Sequence, residues 1–352
     1  MNSAANRNSG EPKGVAFAGN RPLDPIPDES FAQFREAADG KPASVRFLAF
    51  NTVVDVEAYG EPEACKAAFL EAIRLCRSYE RLFSRTLPHS DISRINGASG
   101  QPVAVDPLTY DLVSKALRYC EQGEGAFDIT VGPLVRLWDF HAGKVADTAA
   151  LAEAAKHVNW RNVELWQEPA AEQGEKADGG TCLVRMADPQ AMLDVGGIAK
   201  GWIADALVES LEPYGFGGLI VNLGGNVAVH GSKPSGEPWR VGVRDPRNPE
   251  QLIGAVPLAN GSAVTSGIYE RTFTGSDGRT YHHILNPRTG MPADTDVAGV
   301  TLLAERSIDA EGFSTTLLAL GTERGIALVH RHPEIDQAFF VDRDGLITPA
   351  WS

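Results

Sequence analysis

Three oxygen-bearing side chains stand at the start of an apolar helical segment, SIDAEGFSTTLLALG. Glu311, Ser314 and Thr315 occupy positions i, i+3 and i+4, which lie on one side of a helix. A carboxylate with two hydroxyls suits a hard cation such as Mg²⁺, which keeps several waters and bridges phosphates. The structural alternative is equally good for this segment alone, because the helix dipole favours a glutamate in the first turn beside N-terminal hydroxyls.

Two glycine-bearing turns are suited to holding a nucleotide. In LDVGGIAKGWIADAL, Gly196 and Gly197 precede a helix whose N-terminus offers unpaired N–H groups and a positive dipole to a pyrophosphate. Lys200 lies in the first turn, where its charge opposes the dipole unless an anion is present. LIVNLGGNVAVHG is typical of a buried strand that ends at Gly224-Gly225, where a flat ligand can lie against the backbone. Taken singly, each turn favours the structural alternative of a tight connection or a bulge.

Two further segments carry polar side chains among apolar ones. YHHILNPRTG places His282 and His283 before a turn, and their imidazoles point to opposite sides if the segment is extended. GAFDITVGPLVRLWDF adds Asp128, which either accepts from a ligand N–H or caps a turn. The common signatures GxxxxGK[ST], HExxH, the EF-hand loop and GxSxG are absent from the sequence, and no GxGxxG follows a strand.

The composition restricts the class of protein. The 352 residues are 43% hydrophobic and 22% charged, enough to bury the core of one large domain or two smaller ones. The formal net charge of -14 repels phosphate backbones and no Lys/Arg run opposes it, so no nucleic acid is expected as a partner. The four cysteines lie far apart and form no CxxC, which disfavours a zinc cluster and a disulfide framework.

The apolar segments bear on location. The first twenty residues lack the apolar stretch of a signal peptide, and no later apolar run approaches the roughly 18 residues of a membrane span. We therefore expect a cytoplasmic protein without a membrane span as the sequence stands, and a periplasmic one if an export signal was removed.

The elements that must position these groups follow from periodicity and turn signals. Residues 1–42 are predicted to be a flexible arm with only a short possible helix in DESFAQFREAA, and residues 43–352 to form the folded domain. A polar loop or insertion is predicted at 167–180. From Met192 onward, short apolar strands alternate with glycine-rich turns, between long helices. This order favours an α+β fold, with a mixed, largely antiparallel sheet flanked by helices in essentially one large domain.

Two helices are predicted in the first half of the chain. Apolar residues recur at helical spacing from Pro62 to Phe83, which places Cys65 and Cys76 in the core. Asp106-Pro107 is typical of an N-cap followed by a first-turn proline, and the helix after it carries Cys120 on its apolar face.

Taken together and in order, nine segments resemble the ApbE family, the FAD:protein FMN transferases. They are FLAFNT, ERLFSRTLPHSDISRIN, GAFDITVGPLVRLWDF, LDVGGIAKG, VNLGGNV, PWRVGVRDP, TSGIYER, HHILNPRTG and AEGFSTTLLALG. The resemblance implies an ApbE-like, T-fold-like domain that binds FAD with Mg²⁺ and transfers its FMN half to a threonine or serine hydroxyl of a target protein, with release of AMP. The acceptor it implies is a Ser/Thr-Gly-Ala-Ser/Thr sequence.

The resemblance also implies roles for individual residues. His283 would lie beside the reacting phosphate, where a histidine can accept the proton of the acceptor hydroxyl. The metal would be held by the Gly197 carbonyl with Glu311, Ser314 and Thr315. The flavin nucleotide would be lined by Phe50, Thr86, Ala126, Phe127, Asp128, Asp194, Lys200 and Ile284.

This chain departs from the family pattern at two places in the site. The family's usual aspartate in ADxxxT is Glu311 here, one methylene longer, and the family's Met-Gly-Thr appears as Phe50-Asn51-Thr52. Because Mg²⁺ demands near-ideal octahedral geometry, Glu311 must either reach from a shifted helix or bind the metal more weakly. Two alternatives to the transferase follow: a flavin-binding carrier with an impaired metal site, or an FAD pyrophosphatase that yields FMN and AMP.

Overall fold

The computed structural model describes residues 23–26, 29–169 and 180–352, which form sixteen strands and seven α-helices. Its strands are β1 (Ala32–Arg35), β2 (Ala43–Ala49), β3 (Thr52–Tyr59), β4 (Val103–Val105), β5 (Val163–Glu168), β6 (Thr181–Met186), β7 (Gly218–Leu223), β8 (Asn226–Gly231), β9 (Trp239–Asp245), β10 (Asn248–Leu258), β11 (Gly261–Gly267), β12 (Thr272–Thr274), β13 (Thr280–His282), β14 (Val297–Ala304), β15 (Gln337–Asp342) and β16 (Ile347–Trp351). Its helices are α1 (Pro62–Phe83), α2 (Asp91–Gly97), α3 (Pro107–Gln122), α4 (Gly132–Val135), α5 (Thr148–Ala155), α6 (Ala199–Leu211) and α7 (Ser307–Val329).

A nine-stranded sheet in the order β1-β2-β3-β7-β8-β11-β14-β15-β16 runs through the centre of the described residues. Every neighbouring pair in it is antiparallel. Smaller sheets are formed by β4-β6-β5, by the hairpin β9-β10 and by β12-β13. The predicted α+β fold with a largely antiparallel sheet flanked by helices is confirmed.

Different elements pack on the two faces of the sheet. Helices α1, α6 and α7 pack on one face and enclose the main core. Successive side chains of a strand point to opposite faces, so in β8 Ala228 belongs to the main core while Val227 packs with Val241 of the β9-β10 hairpin. The site described below lies where α6 and α7 meet on the helical face.

Both predicted helices form with the predicted starts. Helix α1 spans Pro62–Phe83 with the proline in its first turn, and its buried side chains recur at the helical period. Helix α3 begins at Pro107, and the Asp106 carboxylate caps it by accepting a hydrogen bond from the Leu108 N–H. Cys65, Cys76 and Cys120 are buried in these helices as predicted, and Cys182 is buried in β6.

The short helix expected in DESFAQFREAA is wrong, because Ala32–Arg35 form strand β1. This strand pairs with β2 from Ala32 opposite Phe47 to Arg35 opposite Ser44. Hydrogen bonds to an open sheet edge are a tertiary effect, and they override the weak local preference of a short polar segment for helix. The sheet therefore begins at Ala32 within the described residues.

The polar segment predicted at 167–180 connects two strands of the small sheet. Gln167 and Glu168 end β5, Thr181 begins β6, and Glu168 pairs with Thr181. Residues 170–179 lie outside the described residues. In the described ranges, none of the helices has the length and apolar character needed to cross a membrane.

Candidate active site

Helices α6 and α7 begin side by side and cap each other. Asp205 of α6 accepts hydrogen bonds from the backbone N–H groups of Ser307 at 2.7 Å and Ile308 at 3.1 Å, the first residues of α7. In return, the Glu311 carboxylate of α7 accepts from the backbone N–H of Gly201 in the first turn of α6. Each carboxylate thus satisfies N–H groups that a helix start leaves unpaired, and each meets the positive end of the other helix.

Glu311 is buried, with only 3% of the residue exposed, and three donors surround its carboxylate. Lys200 donates from Nζ to Oε1 at 2.5 Å. Oε2 accepts from the Gly201 N–H and from Asn226 Nδ2, the latter at 3.0 Å. A buried carboxylate is stable only when it is paired and hydrogen-bonded, and Glu311 meets both conditions within the protein.

A chain of buried polar groups holds Asn226 in place behind Glu311. The Ser307 hydroxyl donates to Asn226 Oδ1 at 2.6 Å, and the Ser262 hydroxyl lies 2.9 Å from the Ser307 hydroxyl. Because Asn226, Ser262 and Ser307 are almost fully buried, the amide of Asn226 is fixed with its N–H directed at Glu311.

Gly201 allows the two helices to approach each other closely. A Cβ at this position would lie 2.7 Å from the Ser307 carbonyl oxygen and 2.9 Å from the Ile308 Cα. These are backbone atoms of α7 that cannot rotate away, so glycine is required where the helices cross. The same contact brings the Gly201 N–H within reach of Glu311.

Lys200 extends over the open side of this crossing, and its side chain is 30% exposed. Burial lowers the pKa of its ammonium, but the pairing with Glu311 outweighs burial, and the pKa is raised. Glu270 also raises the pKa of Lys200, whereas Arg271 lowers it. Lys200 is therefore a cation at neutral pH, within the electrostatic influence of two carboxylates.

The two histidines of YHHILNPRTG enter different surroundings. His282 ends strand β13, is 4% exposed and lies against the Ala293 backbone, with Arg343 acting on it electrostatically. His283 follows the strand and donates its backbone N–H to the Arg271 carbonyl at 3.2 Å. Its Nδ1 is buried and has no hydrogen-bond partner among the described residues. Nδ1 of His282 is likewise buried without such a partner, so what distinguishes His283 is that Arg271 and Lys200 act on it electrostatically.

The pKa of His283 falls to about 4. Burial is the main cause, and the positive charges of Arg271, His282 and Lys200 act in the same direction. The imidazole is therefore neutral at pH 7, and a neutral imidazole has a ring nitrogen that can accept a proton.

A small aromatic core anchors the turn that follows His283. Trp138 stacks on Phe140 and packs at a tilt against Tyr281, and its Nε1–H donates to the Gly290 carbonyl at 2.9 Å. Gly290 has φ +70°, and a Cβ there would lie 2.6 Å from Leu134. The Asn-Pro-Arg-Thr-Gly turn is therefore held rigidly against the domain, which fixes the position of His283.

Gly197 lies between an aromatic ring and a hydroxyl. A Cβ built on Gly197 would lie 3.1 Å from the Phe127 ring and 3.8 Å from Thr315 Oγ1. Thr315 stands one helical turn after Glu311 on α7, so the predicted ligands Gly197, Glu311 and Thr315 come together at the start of α7. Ser314 lies apart from them in its contacts, because its buried hydroxyl is 2.8 Å from Ser266 Oγ and donates to the Glu311 backbone carbonyl.

The two aspartates predicted to bind the nucleotide, Asp128 and Asp194, are hydrogen-bonded to other groups of the protein. Asp128 accepts from the N–H and hydroxyl of Thr130 and from the Trp160 N–H, as expected for a residue that caps a turn. Burial raises the pKa of Asp128. Asp194 accepts from the Gly196 N–H at 2.9 Å and pairs with Arg85 at 3.1 Å. Asp194 thus shapes the glycine turn itself.

The remaining predicted residues surround the same region to different degrees. Phe50 is half-buried in the β2-β3 turn with φ +55°, and its N–H donates to Glu80. Thr86 is exposed and hydrogen-bonded to Ser84, Ala126 is half-buried, and Ile284 is 7% exposed in the main core. Their contact with a nucleotide stays a prediction.

Sequence reasoning missed three residues that build the site. Asn226 directly follows the Gly224-Gly225 turn that the sequence did single out, so its place after the turn was an available signal. Gly201 and Asp205 carry no such signal, because their partners lie on a helix about one hundred residues further along the chain.

Comparison with known proteins places the chain in a family. The model of the ApbE family matches residues 50–340. A FAD:protein FMN transferase of Treponema pallidum (strain Nichols) is 35% identical over 306 residues, which cover 83% of this chain and 82% of that protein. One of Klebsiella pneumoniae (strain 342) is 31% identical over 314 residues, covering 88% and 92%.

Solved structures show the same fold. The ApbE protein of Thermotoga maritima superposes with a TM-score of 0.76 at 28% identity, covering 90% of this chain and 97% of that one. The apo form of the flavinyl transferase ApbE of Pseudomonas stutzeri has a TM-score of 0.73 at 27% identity, covering 88% and 95%. These matches confirm the resemblance of the nine sequence segments.

Proposed function

We propose that this chain, which belongs to the ApbE family, is a flavin transferase that moves the FMN half of FAD to a serine or threonine hydroxyl of a target protein and releases AMP. The observation that supports this is the meeting of Lys200, Glu311 and the N-terminus of α6 beside His283. A cation and a helix N-terminus bind phosphates, and a neutral imidazole can remove a hydroxyl proton.

The oxygen donors at the start of α7 fit a hard divalent cation, and the proposal includes Mg²⁺. Among the described residues no group of three or more His, Cys, Asp or Glu is suited to hold a metal ion. The cation would therefore depend on the single carboxylate of Glu311, with the Gly197 carbonyl, the Thr315 hydroxyl and waters. When bound, Mg²⁺ would neutralise charge on the pyrophosphate. Glu311 can bind the cation through Oε1 only if Lys200 gives up its hydrogen bond to that oxygen.

The protein's own groups would hold the substrate in the following way. Lys200 would bind a phosphate oxygen, and the glycine turn at Gly196 and Gly197 would let the nucleotide approach the backbone. The Phe127 ring, which lies against Gly197, would form an apolar wall. Holding the phosphates and the acceptor hydroxyl in line is the main contribution that a protein makes to transfer of a phosphoryl-type group.

His283 would accept the proton of the acceptor hydroxyl. Its pKa of about 4 keeps it neutral throughout the neutral pH range, so no part of the population is lost to protonation. The low pKa also makes it a weak base, and binding of the anionic pyrophosphate beside it would raise its basicity.

One observation favours a second function, that of a flavin-binding carrier. Glu311 already has three donors within the protein, and if Lys200 never released it, FAD could bind without metal-dependent transfer. Replacement of Glu311 by aspartate distinguishes the two: a large gain in turnover would show that the native site is impaired.

Product analysis tests the proposed function. The purified protein is incubated with FAD, Mg²⁺ and an acceptor protein that carries Ser/Thr-Gly-Ala-Ser/Thr, and the products are separated by chromatography. Transfer gives AMP in equal amount to protein-bound flavin. Free FMN with AMP would indicate a pyrophosphatase, and unchanged, tightly bound FAD would indicate a carrier; either result would overturn the proposal.

A further inference from the structure

The two carboxylate oxygens of Glu311 have partners of different kinds. Oε2 accepts from the Gly201 N–H and from Asn226, and both donors are fixed, one by the backbone and the other by Ser307. Oε1 accepts only from Lys200 in the hydrogen bonds of the described residues. Because the lysine stem is flexible, Oε1 is the oxygen whose partner can be exchanged.

The carboxylate itself is held in one place. It is buried against Gly201, and the cap it provides to α6 ties it to that helix. Leaving the buried Gly201 N–H without an acceptor would cost about 1–3 kcal/mol. Glu311 therefore does not swing towards a ligand, and a cation that uses it must come to Oε1, where the Lys200 ammonium lies.

The surroundings of Lys200 allow its ammonium to move away from Oε1. Its side chain is 30% exposed; the charged groups that act on it are Glu311, Glu270 and Arg271, and the neutral imidazole of His283 also lies within its electrostatic range. Glu270 is exposed, and it attracts the ammonium electrostatically. A partly exposed ion pair with a second carboxylate nearby is weaker than a buried isolated one, so exchange at Oε1 is feasible without unfolding the site.

We propose that Lys200 and a divalent cation compete for Oε1 of Glu311, so that Lys200 is released towards the substrate phosphates only when the cation is bound. This inference rests on the site of the proposed function and adds a coupling between its two positive groups. It also assigns the extra methylene of Glu311 a role, since the side chain can cap α6 with Oε2 while Oε1 is exchanged.

Metal titration of the protein without nucleotide tests the competition. Mn²⁺ is the probe, and free Mn²⁺ is measured by electron paramagnetic resonance. Lys200→Met is expected to bind Mn²⁺ at least about tenfold more tightly than the wild type, because the cation no longer has to displace the ammonium from Oε1. A tenfold change corresponds to about 1.4 kcal/mol. Glu311→Gln should abolish this binding in both backgrounds. Equal affinity of the wild type and Lys200→Met, or no binding to either, would overturn the inference.

A surface ion pair provides the matched control. Lys156 pairs with Glu153 at 2.5 Å, but both side chains are about two-thirds exposed. Lys156→Met is therefore expected to leave Mn²⁺ affinity unchanged. A gain in this variant as large as that in Lys200→Met would mean that net charge alone explains the effect, and would contradict the proposal.

Amine labelling gives a second measurement that needs no variant. The wild type is treated with an acylating reagent with and without Mg²⁺, and modification of each lysine is quantified by mass spectrometry. Labelling of Lys200 should rise with Mg²⁺ while that of Lys156 stays constant; unchanged labelling of Lys200 would refute the coupling. Failure of the proposed function would show instead as absent flavin transfer in a protein that passes both tests.

Discussion

At the scale of the residue, Glu311 illustrates how one methylene changes the partners of a carboxylate. The side chain contacts Lys200 through one oxygen and the N-terminus of α6 through the other. An aspartate on the same turn of α7 has a shorter reach and would have to give up one of these contacts. The departure from the family's ADxxxT pattern is therefore compensated by contacts within the protein.

Replacing Glu311 by aspartate should lower the free energy of unfolding by about 1 kcal/mol, the typical cost of losing a helix cap. Urea denaturation followed by circular dichroism measures the change. Glu153→Asp, in an exposed pair on α5, is the matched control and should stay within about 0.5 kcal/mol of the wild type. Unchanged stability of Glu311→Asp would show that the contact with Gly201 contributes nothing.

His283 should make the protein less stable in acid. Its pKa is about 4 in the folded protein against an ordinary value of 6.5, so the unfolded chain binds the proton more readily. Above pH 6.5 the imidazole is neutral in the folded and the unfolded protein and does not affect stability. As the pH falls from 6.5 towards 4, the free energy of unfolding decreases by at most about 1.4 kcal/mol per pH unit. His283→Gln should have a shallower dependence of unfolding free energy on pH over this window. Identical slopes for both proteins would contradict the burial of a neutral imidazole.

At the scale of the element, the crossing of α6 and α7 organises the site. Asp205 and Glu311 each cap the opposite helix, so the starts of the two helices are fixed relative to one another. Gly201 sets the distance between them. The groups proposed to bind phosphate and those proposed to bind a cation are thereby placed side by side by two helices that are far apart in sequence.

Gly201→Ala should destabilise the protein by about 1–3 kcal/mol, since the added methyl group would overlap backbone atoms of α7. Gly97→Ala is the matched control, because Gly97 is also helical but a Cβ there would have nothing within 4 Å. Thermal denaturation of both variants measures the difference. Equal melting temperatures would mean that the helices can separate at no cost.

The elements that the sequence predicted well are those specified by local interactions. Helix α1 follows from apolar periodicity and a first-turn proline, and α3 from Asp106 at its N-cap. Strand β1 was mistaken for a helix because its conformation depends on pairing with β2. The mutual capping of α6 and α7 escaped prediction for the same reason: Glu311 and Lys200 were each recognised, but their contact is tertiary.

At the scale of the whole molecule, the antiparallel sheet gathers segments that are distant along the chain. The turns after β2 and β7, the loops after α1, α3 and β13, and the starts of α6 and α7 contribute the candidate residues. The order of these segments in the sequence identified the family, which the comparisons confirm. The distances between these segments could not be predicted from the sequence, because no local pattern encodes which loops meet in the fold.

The net charge of -14 gives the local cations a clear role. An acidic protein repels an anionic nucleotide at long range, so the proposed nucleotide binding would depend on Lys200, Arg271 and the N-terminus of α6 at short range. We propose that Lys200, Arg271 and the N-terminus of α6 hold FAD while His283 activates an acceptor hydroxyl.

The most direct test of that claim is the intact mass of an acceptor protein after incubation with FAD, Mg²⁺ and the enzyme. The wild type is expected to add one FMN to a serine or threonine of the acceptor, and His283→Ala to do so at least about 100-fold more slowly with FAD binding unchanged. Full transfer by His283→Ala would remove the histidine from the mechanism. A wild type that binds FAD but leaves the acceptor unmodified would contradict the transferase itself.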